Sequence, residues 1–137
     1  MKPYEFLEHT ADVKFRAYGK TLEETFQNAA YAMTDVITDH TKIKPVIEKT
    51  ISVESENKEA LLYDFLEQFL ILLDSEGFIL NKIEDIKIQD NKITAKIIGD
   101  NHPENYNIET HIKAVTYEEM FIKKEKDQWV VQVIVDI

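Results

Sequence analysis

From Asp12 to Tyr18 apolar and polar side chains alternate. Val13, Phe15 and Ala17 fall on one face, Lys14 and Arg16 on the other. A period of two predicts a half-buried β-strand. Gly19 and Lys20 then turn the chain, and the period changes. Leu22, Phe26, Ala29, Ala30, Met33 and Ile37 recur at helical spacing and form one apolar stripe. Thr21-Leu-Glu-Glu24 just ahead is a capping box, in which Thr21 bonds the Glu24 amide and Glu24 reaches back. Residues 38–48 read as a loop, and Lys49–Glu54 as a strand with Ile51 and Val53 inward. Asn57 is the expected N-cap of a second helix carrying Ala60, Leu61, Leu62, Phe65, Leu66, Phe69, Leu70, Leu72 and Leu73. That wider stripe marks it as the better buried helix, and Gly77 is its expected left-handed cap.

The remainder reads as β. Phe78–Leu80 is a short strand. Ile83–Ile88 and Lys92–Ile98 flank Asp90-Asn91 as a hairpin. Tyr106–Ala114 alternates through Ile108, Thr110 and Ile112, and Tyr117–Lys124 is a further strand. Residues 126–128 turn the chain into Trp129–Ile137. There Trp129, Val131, Val133, Val135 and Ile137 share one face, and Val130, Gln132, Ile134 and Asp136 the other. Strand runs broken by two helices predict one α+β domain over 1–137, a mostly antiparallel sheet with two amphipathic helices on one face.

Composition narrows the function classes. A hydrophobic content of 44% supports a real core. No cysteine is present, which removes disulfides, thiolate metal sites and iron–sulfur clusters and fits a reducing cytoplasm. The longest apolar run, Phe69–Leu73, is far short of a membrane span. The first residues carry acids and show no signal-peptide pattern. Net charge is −10, with 26 acids against 16 bases, and Arg16 is the only arginine. Tight direct binding of nucleic acid draws on basic side chains and is disfavoured. A metal cation or a basic partner protein is favoured, although acids also serve plain solubility.

Candidate chemistry is sparse. His9, His40, His102 and His111 show no paired helical spacing. Ser52, Ser55 and Ser75 sit in no nucleophile-like setting, and no phosphate-binding loop is present. Carboxylates remain, and hard cations take oxygen ligands. Asp12 opens a strand, Asp39 follows a helix, and Asp136 ends a strand beside Ile137, whose chain-terminal carboxylate adds oxygen. Asp12 reads as a cap, a turn residue or a ligand. If the face carrying Ile134 is covered, Asp136 must be paired or metal-bound. A set of unrelated caps and solvated acids is the alternative. Lys113, in HIKAVTYEEM, either balances such acids, meets a phosphate, or is a solvated strand lysine.

The segments YEFLEHTADVKFRAYGKTLEETFQNAAYAM, TD at 38–39, KAVTYEEM and the final VDI together resemble the archease family from Tyr4 to Ile137. One departure stands out. Many archeases read T-Y-H where this chain has Glu118, so a role placed on that histidine does not transfer. The resemblance implies a small α+β protein that activates the GTP-dependent RNA ligase of tRNA splicing and RNA repair. That ligase guanylylates its own histidine using metal ions. Such an activator promotes guanylylation and repeated turnover and is not itself an enzyme. The resemblance also implies a divalent-metal site on Asp12 and Asp136, Ca²⁺ first, with Mg²⁺ or Mn²⁺ as alternatives. Asp39, Lys113 and Ile137 are neighbouring candidates, and His9 either orients a ligand or packs at the start of the strand. Two other readings are a chaperone-like modulator of RNA-modifying enzymes and a stand-alone metal-dependent hydrolase. The second lacks a nameable nucleophile and base.

Overall fold

A computed structural model describes residues 2–137. Its strands form two antiparallel sheets rather than one. In the first, β1 (Tyr4–Leu7), β2 (Asp12–Gly19), β7 (Gln128–Asp136) and β6 (Ala114–Glu125) lie in the order β1-β2-β7-β6. In the second, β3 (Ile47–Glu54), β5 (Lys92–Asp100) and β4 (Ile79–Gln89) lie in the order β3-β5-β4. Helices α1 (Leu22–Ile37) and α2 (Lys58–Glu76) touch both sheets. The α+β class and both amphipathic helices are as the patterning predicts.

The helix ends follow local chemistry. Thr21 Oγ1 accepts the Glu24 N–H at 3.0 Å, and Glu24 Oε1 accepts the Lys20 N–H at 2.7 Å. Asn57 Oδ1 accepts the Ala60 N–H at 2.8 Å. Gly77, at φ 69°, closes α2 by donating to the Leu73 carbonyl, while Phe78 donates to Leu72. The expected order of helix burial is reversed. Nine α1 residues are buried against six in α2. Thr25, Asn28 and Thr34 of α1 are among them, satisfied inside by Thr21 O, Tyr18 O and Ala30 O. Between the helices Phe26 meets Phe65, with ring centroids 6.1 Å apart. Phe15, Val131 and Val133 close the same core from the first sheet, and Ile93 and Ile97 close it from the second.

Two further expectations change. Tyr106–Lys113 is not a strand: it pairs with no ladder partner and follows a 3₁₀ turn at Pro103–Asn105. The Glu109 N–H bonds the Ile37 carbonyl at 2.8 Å, and Ile108 and Ile112 pack half-buried against the core. Alternation reports one covered face, and a loop pressed on a core produces it as well as a sheet does. The separate strands at 78–80 and 83–88 are one strand, β4, with irregular register at Leu80/Lys82 and Glu84/Lys87.

Strand β7 is central in its sheet, and its positions from Val130 to Val135 are covered on both faces. Val130, Gln132 and Ile134 on the outer side are buried, as are Val131, Val133 and Val135 on the inner. The outer cover is built from long polar side chains. Arg16 Nε donates to Gln132 Oε1 at 2.9 Å, and the Arg16 guanidinium lies 5.5 Å from the Phe121 ring centre. Asp136 is therefore the end of a covered row. No helix among the described residues is long and apolar enough to cross a membrane.

Candidate functional site

The short loop between β1 and β2 holds Glu8, His9, Thr10 and Ala11. Ala11 takes a left-handed conformation, φ 69°, which costs an alanine free energy. That turn delivers Asp12 as the first residue of β2. Because β2 and β7 are antiparallel and in register, Asp12 lies directly opposite Asp136. On the other side of β7, Ala114 lies opposite Asp136, and the Lys113 N–H donates to the Asp136 carbonyl at 2.7 Å. Directly opposed side chains have Cβ atoms about 4.5–5.5 Å apart, and like charges there repel. Among the described residues, no lysine or arginine forms an ion pair with either aspartate. His9 Nδ1 lies 3.8 Å from Asp12 Oδ2.

The adjoining strand adds a second set of groups. The β6–β7 register jumps from Thr116–Ile134 to Phe121–Gln132, so Tyr117, Glu118, Glu119 and Met120 bulge opposite Val133 alone. Glu119 has φ 54°. Its main chain folds over the outer face, where its carbonyl accepts Gln132 Nε2 at 2.8 Å. Its carboxylate takes the Lys14 ammonium at 3.2 Å and lies 3.4 Å from His9 Nε2. The Lys14 hydrogen bond first, with smaller help from His9, holds the Glu119 carboxyl below its ordinary value. Lys14 is thus committed to Glu119, and neither Asp12 nor Asp136 has a lysine or arginine partner among the described residues.

His9, Glu118 and Glu119 present ligand atoms that all lie within 4.8 Å of one another. An imidazole with two carboxylates suits a divalent ion that accepts mixed nitrogen and oxygen donors. His9 Nδ1 is buried and has no hydrogen-bond partner. Sequence reading missed Glu119 and Lys14 and noted Glu118 only as a departure. The signal was two consecutive acids interrupting a strand's alternation, which here marks the bulge.

The remaining candidates fall out differently. Asp39 is a cap: its Oδ1 accepts both the Thr41 N–H at 3.0 Å and the Thr41 hydroxyl at 2.7 Å. Those bonds lower its carboxyl pKa, and none of its contacts ties it to Asp12 or Asp136. Lys113 reaches Asp136 through its main chain, while its side chain is exposed. Ile137 follows Asp136 and is exposed. His40 is structural, stacked on Tyr31 with ring centroids 4.5 Å apart and Nδ1 3.0 Å from the Asn81 carbonyl. An open cleft of about 680 Å³, lined by Lys20, Glu125, Lys126, Asp127 and Gln128, sits at the opposite end of the first sheet.

Known proteins share the sequence and the fold of this chain. The family model of the Archease protein family (MTH1598/TM1083) matches residues 4–137. Protein archease of Methanosarcina acetivorans is 40% identical over 141 residues, covering 99% of this chain and 97% of the relative. Protein archease of Pyrococcus abyssi is 39% identical over 143 residues, covering the whole of both. The solution structure of protein 1598 of Methanobacterium thermoautotrophicum superposes with a TM-score of 0.84 at 35% identity over the full length of both chains. The crystal structure of an archease, possible chaperone, from Thermotoga maritima gives a TM-score of 0.63 at 20% identity, covering 96% of this chain and 94% of that one; it speaks to the fold alone.

Proposed function

The chain belongs to the archease family, and on that premise we propose that it is a cytoplasmic protein activator of a GTP-dependent RNA ligase of tRNA splicing and repair. The activating element is the acidic tip at the Asp12–Asp136 end of the first sheet. One observation supports this most: two carboxylates stand opposite each other across β2 and β7, and among the described residues neither has a lysine or arginine partner. Such a pair is unfavourable alone and becomes favourable around a cation. The orphaned His9 Nδ1 beside it points the same way.

Asp12 and Asp136 would hold the ion, with Ile137 adjacent and Lys113 flanking. Oxygen donors favour Ca²⁺, with Mg²⁺ and Mn²⁺ as alternatives. When bound, the ion supplies a fixed positive centre that can meet phosphate oxygens. The chain's own residues keep the tip rigid: Ala11 sets the turn, Lys113 tethers the Asp136 carbonyl, and Lys14 fixes Glu119 so that it leaves the aspartates free. The protein's negative charge suits a basic partner protein better than bare RNA.

Ligase guanylylation in the presence of Asp12→Ala and Asp136→Ala variants tests the proposal. Both are expected to lose activation, and ligation should stop after about one turnover. Wild-type activation by both would remove the tip from the mechanism. A second reading, a chaperone-like modulator with several clients, rests on the family resemblance. Capture of partners with the intact chain separates the two, since the first expects the ligase as the main protein retained. A stand-alone hydrolase would turn over simple phosphoesters with metal and no partner.

A further inference from the structure

At the start of the β6 bulge, Tyr117 turns toward α2 and stacks on Tyr63, with ring centroids 4.5 Å apart and planes inclined by 10°. Tyr63 is anchored against the core, whereas Tyr117 is 54% exposed. One face of the Tyr117 ring is taken by Tyr63, and the residue is otherwise largely open to solvent. Burial first, then Asp64, Tyr63, Glu56 and Glu67 in turn, hold its hydroxyl above the ordinary tyrosine value. None of the three acids forms an ion pair among the described residues. Asp64 accepts only the Ser55 hydroxyl, at 2.6 Å.

Cations of the chain itself cover three other partly exposed rings. Lys2 lies over Tyr18, Arg16 and Lys123 over Phe121, and Lys124 over Trp129. There the chain furnishes its own cation. At Tyr63–Tyr117 it furnishes an aromatic platform with unpaired acids nearby, and no cation among the described residues. We infer that this platform, with Glu56, Asp64 and Glu67, is a docking surface for an arginine presented on a basic segment of a partner protein.

A guanidinium fits both halves of the surface. Its plane lies on the tyrosine ring while its N–H groups fork toward carboxylates, which a lysine ammonium does less well. A second copy of this chain, itself at net −10, and a nucleic acid both carry the wrong sign of charge. The surface involves neither Asp12 nor Asp136, so it stands or falls independently of the tip.

The test uses the intact ¹⁵N-labelled chain titrated with a blocked peptide of five Arg-Gly repeats and with its Lys-Gly counterpart. Amide shifts are expected to centre on Tyr63, Asp64, Glu67 and Tyr117, with the arginine peptide binding more tightly than the lysine peptide. Tyr117→Ala should weaken arginine-peptide binding about three- to tenfold, the worth of one lost cation–π contact. Tyr117→Phe should leave it unchanged. Glu67→Gln, which keeps the side chain's shape, should weaken it and reduce its salt dependence, and carries the test if Tyr117→Ala loosens β6. Shifts spread evenly over the acidic surface, equal affinity for the two peptides, or wild-type affinity in both Tyr117→Ala and Glu67→Gln would overturn the inference.

Discussion

Replacing Asp136 by Asn should stabilise this protein without metal and destabilise it, relative to wild type, with metal. The register places Asp12 and Asp136 directly opposite each other, which puts their Cβ atoms about 5 Å apart. Two unit charges at that separation repel by about 0.8 kcal/mol in water and more in a partly buried setting. Physiological salt screens part of this. Both aspartates are half-buried, so a gain of about 0.5–1 kcal/mol on removing one charge follows. For a chain of this size that is about 2–4 °C in Tm. Cation binding to the native tip adds about 2.7 kcal/mol at a hundredfold excess over Kd. The wild type should therefore overtake Asp136→Asn as Ca²⁺ is raised. The assay is thermal unfolding by circular dichroism of wild type, Asp12→Asn and Asp136→Asn, first in chelator and then across a CaCl₂ series, repeated with Mg²⁺ and Mn²⁺. Crossing curves support a repelling pair that a cation reconciles. Two variants less stable than wild type in chelator, with no separate response to any of the three ions, would refute the reasoning.

Three other expectations concern the frame that carries the tip. Asp100 is buried, and the Tyr106 hydroxyl, at 2.6 Å, is the first cause of its lowered carboxyl pKa. A depressed carboxyl contributes stability above its unfolded value of 3.8 and loses it as pH falls through the lower folded value. Tyr106→Phe should thus cost about 1–2 kcal/mol at pH 7, and denaturant midpoints of the two proteins should converge at strongly acid pH. Ala11→Gly should raise stability by about 0.5 kcal/mol and Ala11→Val lower it by about 1 kcal/mol or more, because the left-handed φ suits glycine and opposes a branched side chain; urea titrations giving both changes the same sign would contradict that turn. Gly99→Ala should cost about 3 kcal/mol or more, since a Cβ there would stand 1.9 Å from the Ile79 carbonyl oxygen across the β4–β5 pair; an unchanged melting temperature would show that the strands are not so close.

What the sequence made legible was mostly local. The caps at Thr21, Asn57 and Gly77, the Asp90-Asn91 turn and the alternation of β2 each depend on a few neighbouring residues. What stayed hidden depends on partners distant along the chain. The four residues of β1 are too few to show a period, and they form a strand because β2 pairs with them. Helix α1 looked less buried because Thr25, Asn28 and Thr34 read as polar; packed against both sheets, they satisfy their hydrogen bonds on nearby carbonyls and disappear from solvent. The site divides in the same way. Asp12 and Asp136 were visible as acids at strand ends, and the family resemblance joined them. The part played by Lys14 and Glu119 needed the register slip in β6.

That slip also explains how two chemically different surfaces arise within three residues. In a regular strand Tyr117 and Glu119 would point to the same face, since side chains repeat every second position. Here the bulge inserts Tyr117 to Met120 opposite Val133. Tyr117 turns toward α2 and Glu119 crosses to the outer face, against Lys14 and His9. Asp136 lies opposite Ala114, three residues before Tyr117, and three residues of main chain span at most about 11 Å, so the aromatic platform and the acidic tip stay close while facing different ways. A partner that seats a basic segment on Tyr117 is thereby held beside Asp12 and Asp136 without touching them. Charge attraction would bring the partner in, and the stack would set its orientation. The aspartates would remain available for an ion, which is the division of labour an activator needs if it must engage an enzyme and leave its nucleotide pocket open.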